Sequence, residues 1–259
     1  MIITLLTDFG RDSPYVAAMK GVMLSINPRA TLVDLTHGIG PQNVREAAIV
    51  LDETASWFPP ETIHVAVVDP GVGSDRKIVY ARLGDWQFLA PDNGLLSRLA
   101  RRIAPSTIRT VSEAQFWLPT VSATFHGRDI FAPVAARLSL GLDPERLGPQ
   151  QADLVTLDWP EVALTQGKLE GRIEAIDSFG NLISDITADK LEGVPRGEDV
   201  TIECDEHQTQ GIFRAYADQP EMTLIALVGS SGKLELAIVG DSAAIMLGVR
   251  VGTPLSVRW

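Results

Sequence analysis

The sequence predicts an α/β protein: an N-terminal, mostly parallel sheet flanked by helices, then a smaller C-terminal β-barrel-like domain. Between Ile2 and Gly71, short apolar segments alternate with amphipathic ones, the pattern of strands and helices in turn. The apolar segments carry no polar face, so helices cover both sides of the sheet they form, as parallel sheets require. After residue 166 the pattern changes to short β-branched segments with few helices between them.

Residues 2–7 read as a buried strand that ends at Asp8-Phe9-Gly10. Tyr15, Met19, Val22 and Ile26 then recur at helical spacing until Pro28 stops the helix. Residues 31–35 form a second strand, closed by Thr36-His37-Gly38. A second helix follows, with Val44, Ala47, Ala48, Leu51 and Ala55 on one face. Residues 62–68 are a third strand ending at Asp69-Pro70-Gly71, and 87–90 runs into Pro91-Asp92-Asn93-Gly94. Asp129 is placed to cap a helix over 130–138, where Pro133 is tolerated in the first turn. Further strands are expected at 169–176, 201–203, 223–227, 234–239 and 254–257. The Pro-, Gly- and Asp-rich stretch 141–160 marks the junction. The expected organisation is an α/β domain over 1–150, a linker over 151–166 and the barrel-like domain over 167–259.

With 45% hydrophobic residues, the chain can bury a sizeable core. A net charge of -11 repels phosphate backbones and argues against nucleic acid as a partner. No apolar run approaches the ~20 residues of a membrane span. Residues 1–7 are apolar but lack the basic flank of a signal peptide. One cysteine, Cys204, excludes an internal disulfide and fits a reducing cytoplasm. Its neighbours Glu203 and Asp205 raise rather than lower its pKa, so it reads as unreactive.

Three segments place polar side chains beside glycines: Asp69-Pro70-Gly71-Val72-Gly73-Ser74-Asp75-Arg76, Thr124-Phe125-His126-Gly127-Arg128-Asp129 and Asp177-Ser178-Phe179-Gly180-Asn181. Several aspartates also fall at strand ends, where ligands bind in open α/β sheets. Two other strings mislead. Asp8-Phe9-Gly10 lacks the glycine-rich loop and lysine strand that precede it in kinases. Gly229-Ser230-Ser231-Gly232-Lys233 fails the spacing of a phosphate loop, because Leu234 follows the lysine. The four histidines show no paired spacing for zinc.

These segments resemble, in order and along nearly the whole chain, the SAM hydroxide adenosyltransferases. These are S-adenosylmethionine (SAM) hydrolases related to fluorinase and chlorinase. Thr7-Asp8-Phe9-Gly10, Met19-Lys20-Gly21, Asp34-Leu35-Thr36-His37, Ala90-Pro91-Asp92-Asn93-Gly94 and Gly229-Ser230-Ser231-Gly232-Lys233-Leu234-Glu235 carry the similarity beside the three segments above. The resemblance implies hydrolysis of SAM to adenosine and methionine, with SAM as substrate and neither metal nor cofactor. It implies a homotrimer with SAM held between neighbouring subunits. It also implies a catalytic triad of Asp69, Arg76 and His126, the set that separates hydrolases from halogenases. Asp8 would take the ribose hydroxyls, Asp177 the methionine ammonium, Asn181 the adenine edge, and Ser230 and Ser231 the carboxylate. Phe125 and Phe179 would wall the pocket, and Glu235 belongs to the same binding set. Ser13, Gln42 and Val239 depart from the family's usual residues.

The chemistry suits that set. A sulfonium leaves as a neutral thioether, so no general acid is needed. Water is the weak partner, with a bulk pKa of about 15.7. Arg76 holds anionic oxygen but never acts as a base. Asp69 and His126 both accept protons, and the residue types alone leave open which does. Two other functions fit the bare residues: metal-dependent nucleoside or phosphoester hydrolysis on Asp8, Asp34, Asp69 and Asp92, or a non-catalytic SAM or adenosine sensor. An Asp69–Arg76 loop staple and an ordinary loop histidine at 126 are the structural alternatives.

Overall fold

Strand β1 (Ile2–Thr7) is buried along its length after Ile2, and it alternates between two cores. Ile3 and Leu5 enter one apolar cluster with Val16, Met19 and Met23, whereas Leu6 enters the other with Ala47 and Leu51. Helix α1 (Pro14–Ile26) starts on the Ser13 side chain, which accepts the Tyr15 N–H. Tyr15 departs from the expected apolar face: it is 53% exposed, and Val16 turns inward in its place. β2 (Thr31–Thr36) pairs parallel with β1. Helix α2 (Val44–Thr54) is capped by Asn43 and buries Ala47, Ala48 and Leu51 as expected.

β3 (Ile63–Val67) and β5 (Trp86–Pro91) continue the parallel set; β4 (Ile78–Leu83) pairs antiparallel with both β5 and the edge strand β6 (Pro105–Thr110), so β4 alone runs against the others. The sheet order is β2-β1-β3-β5-β4-β6. Order reverses between β1 and β3, so the crevice beyond their carboxyl ends is the topological switch point. Asp8 follows β1 and Asp69 lies just past β3. Helices α3 (Ser97–Arg102) and α4 (Ala132–Leu138) complete the two helical layers.

This computed structural model describes residues 1–259, in two units: Met1–Trp159 and Pro160–Trp259. The second unit holds β7 (Ala163–Thr165), β8 (Lys168–Ile176), β9 (Leu182–Thr187), β10 (Thr201–Cys204), β11 (His207–Gln210), β12 (Leu224–Val228), β13 (Lys233–Ile238), α5 (Ala243–Leu247) and β14 (Pro254–Arg258). Its antiparallel order is β11-β10-β14-β8-β9-β13-β12. Thr209 of β11 donates its hydroxyl to the Leu224 carbonyl of β12 at 2.8 Å, which links the two edge strands into a nearly closed barrel. No helix is long and apolar enough to cross a membrane.

Residues 151–159 differ from a free linker. Gln151 and the Val155 N–H donate to Asp92 at 2.6 and 2.8 Å. The Trp159 indole donates to Ser97 at 2.9 Å, with the Arg45 and Arg98 guanidinium groups over its ring. Residues 163–165, also expected in the linker, pair with β8. Cys204 is buried, and burial together with Asp205 pushes its thiol up to about 11.

Candidate active site

The loop after β3 and the loop before α4 meet at the switch point. Gly73 has φ +79, and any Cβ there would collide with the Ala123 carbonyl. Only glycine lets the two loops approach this closely. Arg76 is thereby brought between Asp69 and His126. Its Nε donates to Asp69 Oδ1 at 2.9 Å and Oδ2 at 2.8 Å, and its Nη2 also donates to Oδ2. The same Nη2 lies 2.8 Å from His126 Nδ1. The Asp69 and Arg76 side chains are only 5% and 11% exposed, so solvent screens the pair little.

A guanidinium only donates. His126 Nδ1 must therefore accept, which places the proton of the neutral ring on Nε2. Burial, then the Arg76 charge, hold the His126 pKa below its ordinary value, against the opposite pull of Asp69 and Asp129.

A π-helical turn, Gly127–Phe131, follows His126 at once, a local irregularity frequent at functional sites. Asp129 sits inside this turn rather than capping it from outside. It is fully buried and accepts the Ser122 N–H at 2.8 Å and Arg128 Nε at 2.6 Å. The carboxylate ties the His126 loop to its own beginning instead of starting the helix. Phe125 packs edge-to-face with Phe9 and Tyr15, at ring separations of 5.8 and 5.0 Å. Asp8, the strand-end residue beside this aromatic group, accepts the Gln42 N–H at 2.8 Å. Gln42 adopts φ 62, an unusual left-handed backbone for a non-glycine residue.

The second unit gathers the remaining candidates in two places. Asp177 Oδ1 accepts the N–H groups of Phe179 and Asn181, each at 2.9 Å, and its Oδ2 accepts the Asn181 side-chain amide at 2.9 Å. That amide also reaches Tyr216 Oη at 3.3 Å, and the phenol donates to Glu235. Glu235 is 4% exposed, and burial followed by the Asp177 charge raises its pKa despite the Tyr216 hydrogen bond. Burial and Glu235 likewise raise that of Tyr216. Asp177, Asn181, Tyr216 and Glu235 thus form one polar chain. Phe179 is 78% exposed beside it. Ser230 and Ser231 stand exposed at the tip of the β12–β13 hairpin, whose turn is closed by the Gly229 N–H on the Lys233 carbonyl at 2.9 Å.

Sequence reasoning gave no candidate role to Tyr15, which packs on Phe125, or to Tyr216, which bonds Asn181 and Glu235. Tyr15 was hidden by its helical spacing. Tyr216 follows Ala215 in a short irregular segment with no motif. The aspartates that suggested a metal site are already engaged. Asp34 pairs with Lys20 at 2.6 Å, Asp69 with Arg76, and Asp92 with Gln151 and Val155. No three His, Cys, Asp or Glu side chains are gathered where they could share one ion.

The Arg76 clamp on His126 lies at the switch point of an open α/β sheet, where ligands bind in folds of this class. The models of the SAM hydroxide adenosyltransferase N-terminal and C-terminal domains match residues 3–148 and 171–256. The chain belongs to that family. It is 38% identical over 261 residues to a Thermus thermophilus protein named (R)-S-adenosyl-L-methionine hydrolase, covering 98% of each chain. A fluorinase from Actinopolyspora mzabensis is 28% identical, over 99% of this chain and 96% of its own. The crystal structure of an uncharacterised conserved protein from Thermotoga maritima superposes with TM-score 0.94 at 35% identity, covering 100% of both chains.

Proposed function

We propose that this protein hydrolyses SAM, in the (R) form that its relatives' name specifies, to adenosine and methionine. The carrying observation is the Asp69–Arg76–His126 clamp. Water oxygen forms a bond to C5' as the C5'–S bond breaks. The bond pair stays on sulfur as the thioether, and the proton lost by the water passes to solvent. Arg76 and the His126 Nε2–H are donors, an arrangement that stabilises hydroxide rather than water at the attack position. With Nδ1 held by Arg76, His126 does not serve as the base in this arrangement. Asp69 is the remaining acceptor of the triad, and its charge keeps Arg76 aimed.

Asp8 takes the ribose hydroxyls and Phe125 walls the pocket. Asp177 faces the methionine ammonium, Asn181 the adenine edge, and Ser230 and Ser231 the carboxylate, with Phe179 as a second wall. Glu235 acts through Tyr216, which it fixes against Asn181. SAM supplies the reactive group itself, so no metal or cofactor is required. The working state is a homotrimer in the cytoplasm. Support for an assembled site comes from Phe179 and Ile245, 78% and 82% exposed, which present apolar surface around the Asn181 turn; light scattering at assay concentration reads the assembly.

Incubation with (R)- and (S)-SAM, with and without chloride, tests the activity through chromatography of the nucleosides. Adenosine with methionine from the (R) form is expected. Dominant 5'-chloro-5'-deoxyadenosine in chloride overturns the water-using assignment. Release of nothing while SAM binds tightly favours a sensor.

A further inference from the structure

Asp8 stands between Thr7 and Phe9, and both of its flanks are tied to one residue that the triad does not use. Thr7 Oγ1 lies 2.9 Å from His37 Nδ1 and also accepts the Phe9 N–H at 3.2 Å. Gly10 N–H donates to the His37 carbonyl at 2.9 Å. The ring is itself held from behind. His37 Nε2 lies 3.1 Å from Asp34 Oδ1, at ion-pair distance though not aligned for a hydrogen bond. Asp34 Oδ2 accepts Lys20 Nζ at 2.6 Å. Burial opposes ionisation of Asp34, but the contacts from Lys20 and His37 outweigh it and hold its pKa below the ordinary value. Thr7 is fully buried and His37 is 9% exposed.

With its proton on Nε2, the ring turns that N–H toward Asp34 at ion-pair distance and leaves Nδ1 to accept the Thr7 hydroxyl. A side chain without a nitrogen at the Nδ1 position would strand the Thr7 hydroxyl proton in a buried place. The path therefore runs from Lys20 on α1, through Asp34 on β2 and His37, to both sides of Asp8 at the end of β1.

We infer that His37 is a positioning residue for substrate, fixing the Asp8 carboxylate by pinning the residues on either side of it. The inference rests on the assignment of Asp8 to the ribose hydroxyls. A displaced carboxylate weakens a contact made in both ground and transition states, so KM rises while kcat changes little.

A double-mutant cycle tests it on the full-length protein, with KM and kcat for SAM measured for wild type, His37→Ala, Asp8→Asn and the pair. His37→Ala is expected to raise KM roughly 10-fold with kcat within about twofold. In the Asp8→Asn background the same change is expected to raise KM no further. His37→Asn, whose amide reaches the Nδ1 position, restores most of the lost KM, and His37→Gln does not. An unchanged KM in His37→Ala, or an equal rise in both backgrounds, overturns the inference. Should His37→Ala fail to fold, the contrast between His37→Asn and His37→Gln decides the matter in its place: a lower KM for His37→Asn supports the inference, and equal KM values overturn it. An Asp8→Asn variant with wild-type KM would show instead that the ribose assignment is wrong, and the inference would fall with it.

Discussion

At the scale of single residues, the deciding contact is Arg76 Nη2 on His126 Nδ1. On the proposed mechanism both act on one nucleophile, so Arg76→Ala and His126→Ala are each expected to lower kcat by ~10²-fold or more. SAM binding should hardly change in either variant, since neither side chain grips the parts of SAM that persist through the reaction. The double variant should cost little beyond the worse single one. Calorimetric titration beside single-turnover rates separates these effects. If His126→Ala keeps its turnover and loses SAM affinity instead, the clamp is a binding feature. The pH dependence has a definite sign. Burial and Arg76 hold the His126 pKa below 6.5, so protonation, which would break the Nδ1 contact, comes late. The acid limb due to His126 is expected below pH 6.5, and its NMR titration should move upward in Arg76→Ala, which removes the second of those two causes.

At the scale of elements, β3 carries one histidine, which has no place in the proposed chemistry. His64 is fully buried, stacked on Phe88 at 5.0 Å, edge-on to Phe58, and 2.7 Å from Thr4 Oγ1. Burial pushes its pKa down to about 4. The unfolded chain therefore binds a proton near the ordinary value of 6.5 that the folded strand refuses. Stability is whole above pH 6.5 and declines as pH falls from there toward 4, by about 3 kcal/mol for this group. Denaturant titrations at several pH values should show that slope, and a folded His64→Gln variant should lose most of it. A slope unchanged in the variant would place the acid sensitivity elsewhere.

At the scale of the molecule, the chain divides after Trp159, within the stretch 151–166 expected as a linker. Segment 151–159 supplies both hydrogen-bond partners of Asp92 and an indole held between two arginines. We expect a fragment of residues 1–159 to fold with a higher Tm than one of residues 1–150. Truncation at 150 strips Asp92 of its two partners and exposes the surface under Trp159, at a cost of about 1–3 kcal/mol. Thermal melts followed by circular dichroism compare the two. Equal Tm values would return 151–159 to the role of a linker.

Much of the fold was written in local pattern. Alternating apolar and amphipathic segments specify burial, and burial on both faces specifies a parallel sheet between helices. The change to short strands after residue 166 marks the second unit in the same way. The reversed direction of β4 escaped notice because it depends on the neighbouring strands and not on its own residues. The candidate site was legible as residue types beside glycines, in an order resembling one family. Its working geometry was not. Arg76 and His126 lie 50 positions apart, and Thr7 and His37 lie 30 apart. Which nitrogen of each ring meets which partner follows from strand order and loop approach, as at Gly73, rather than from spacing along the chain. Side-chain periodicity records what is buried, because burial repeats with the local helix or strand. The partner of a buried polar group is chosen only when distant segments close on one another, and there the tertiary structure alone decided.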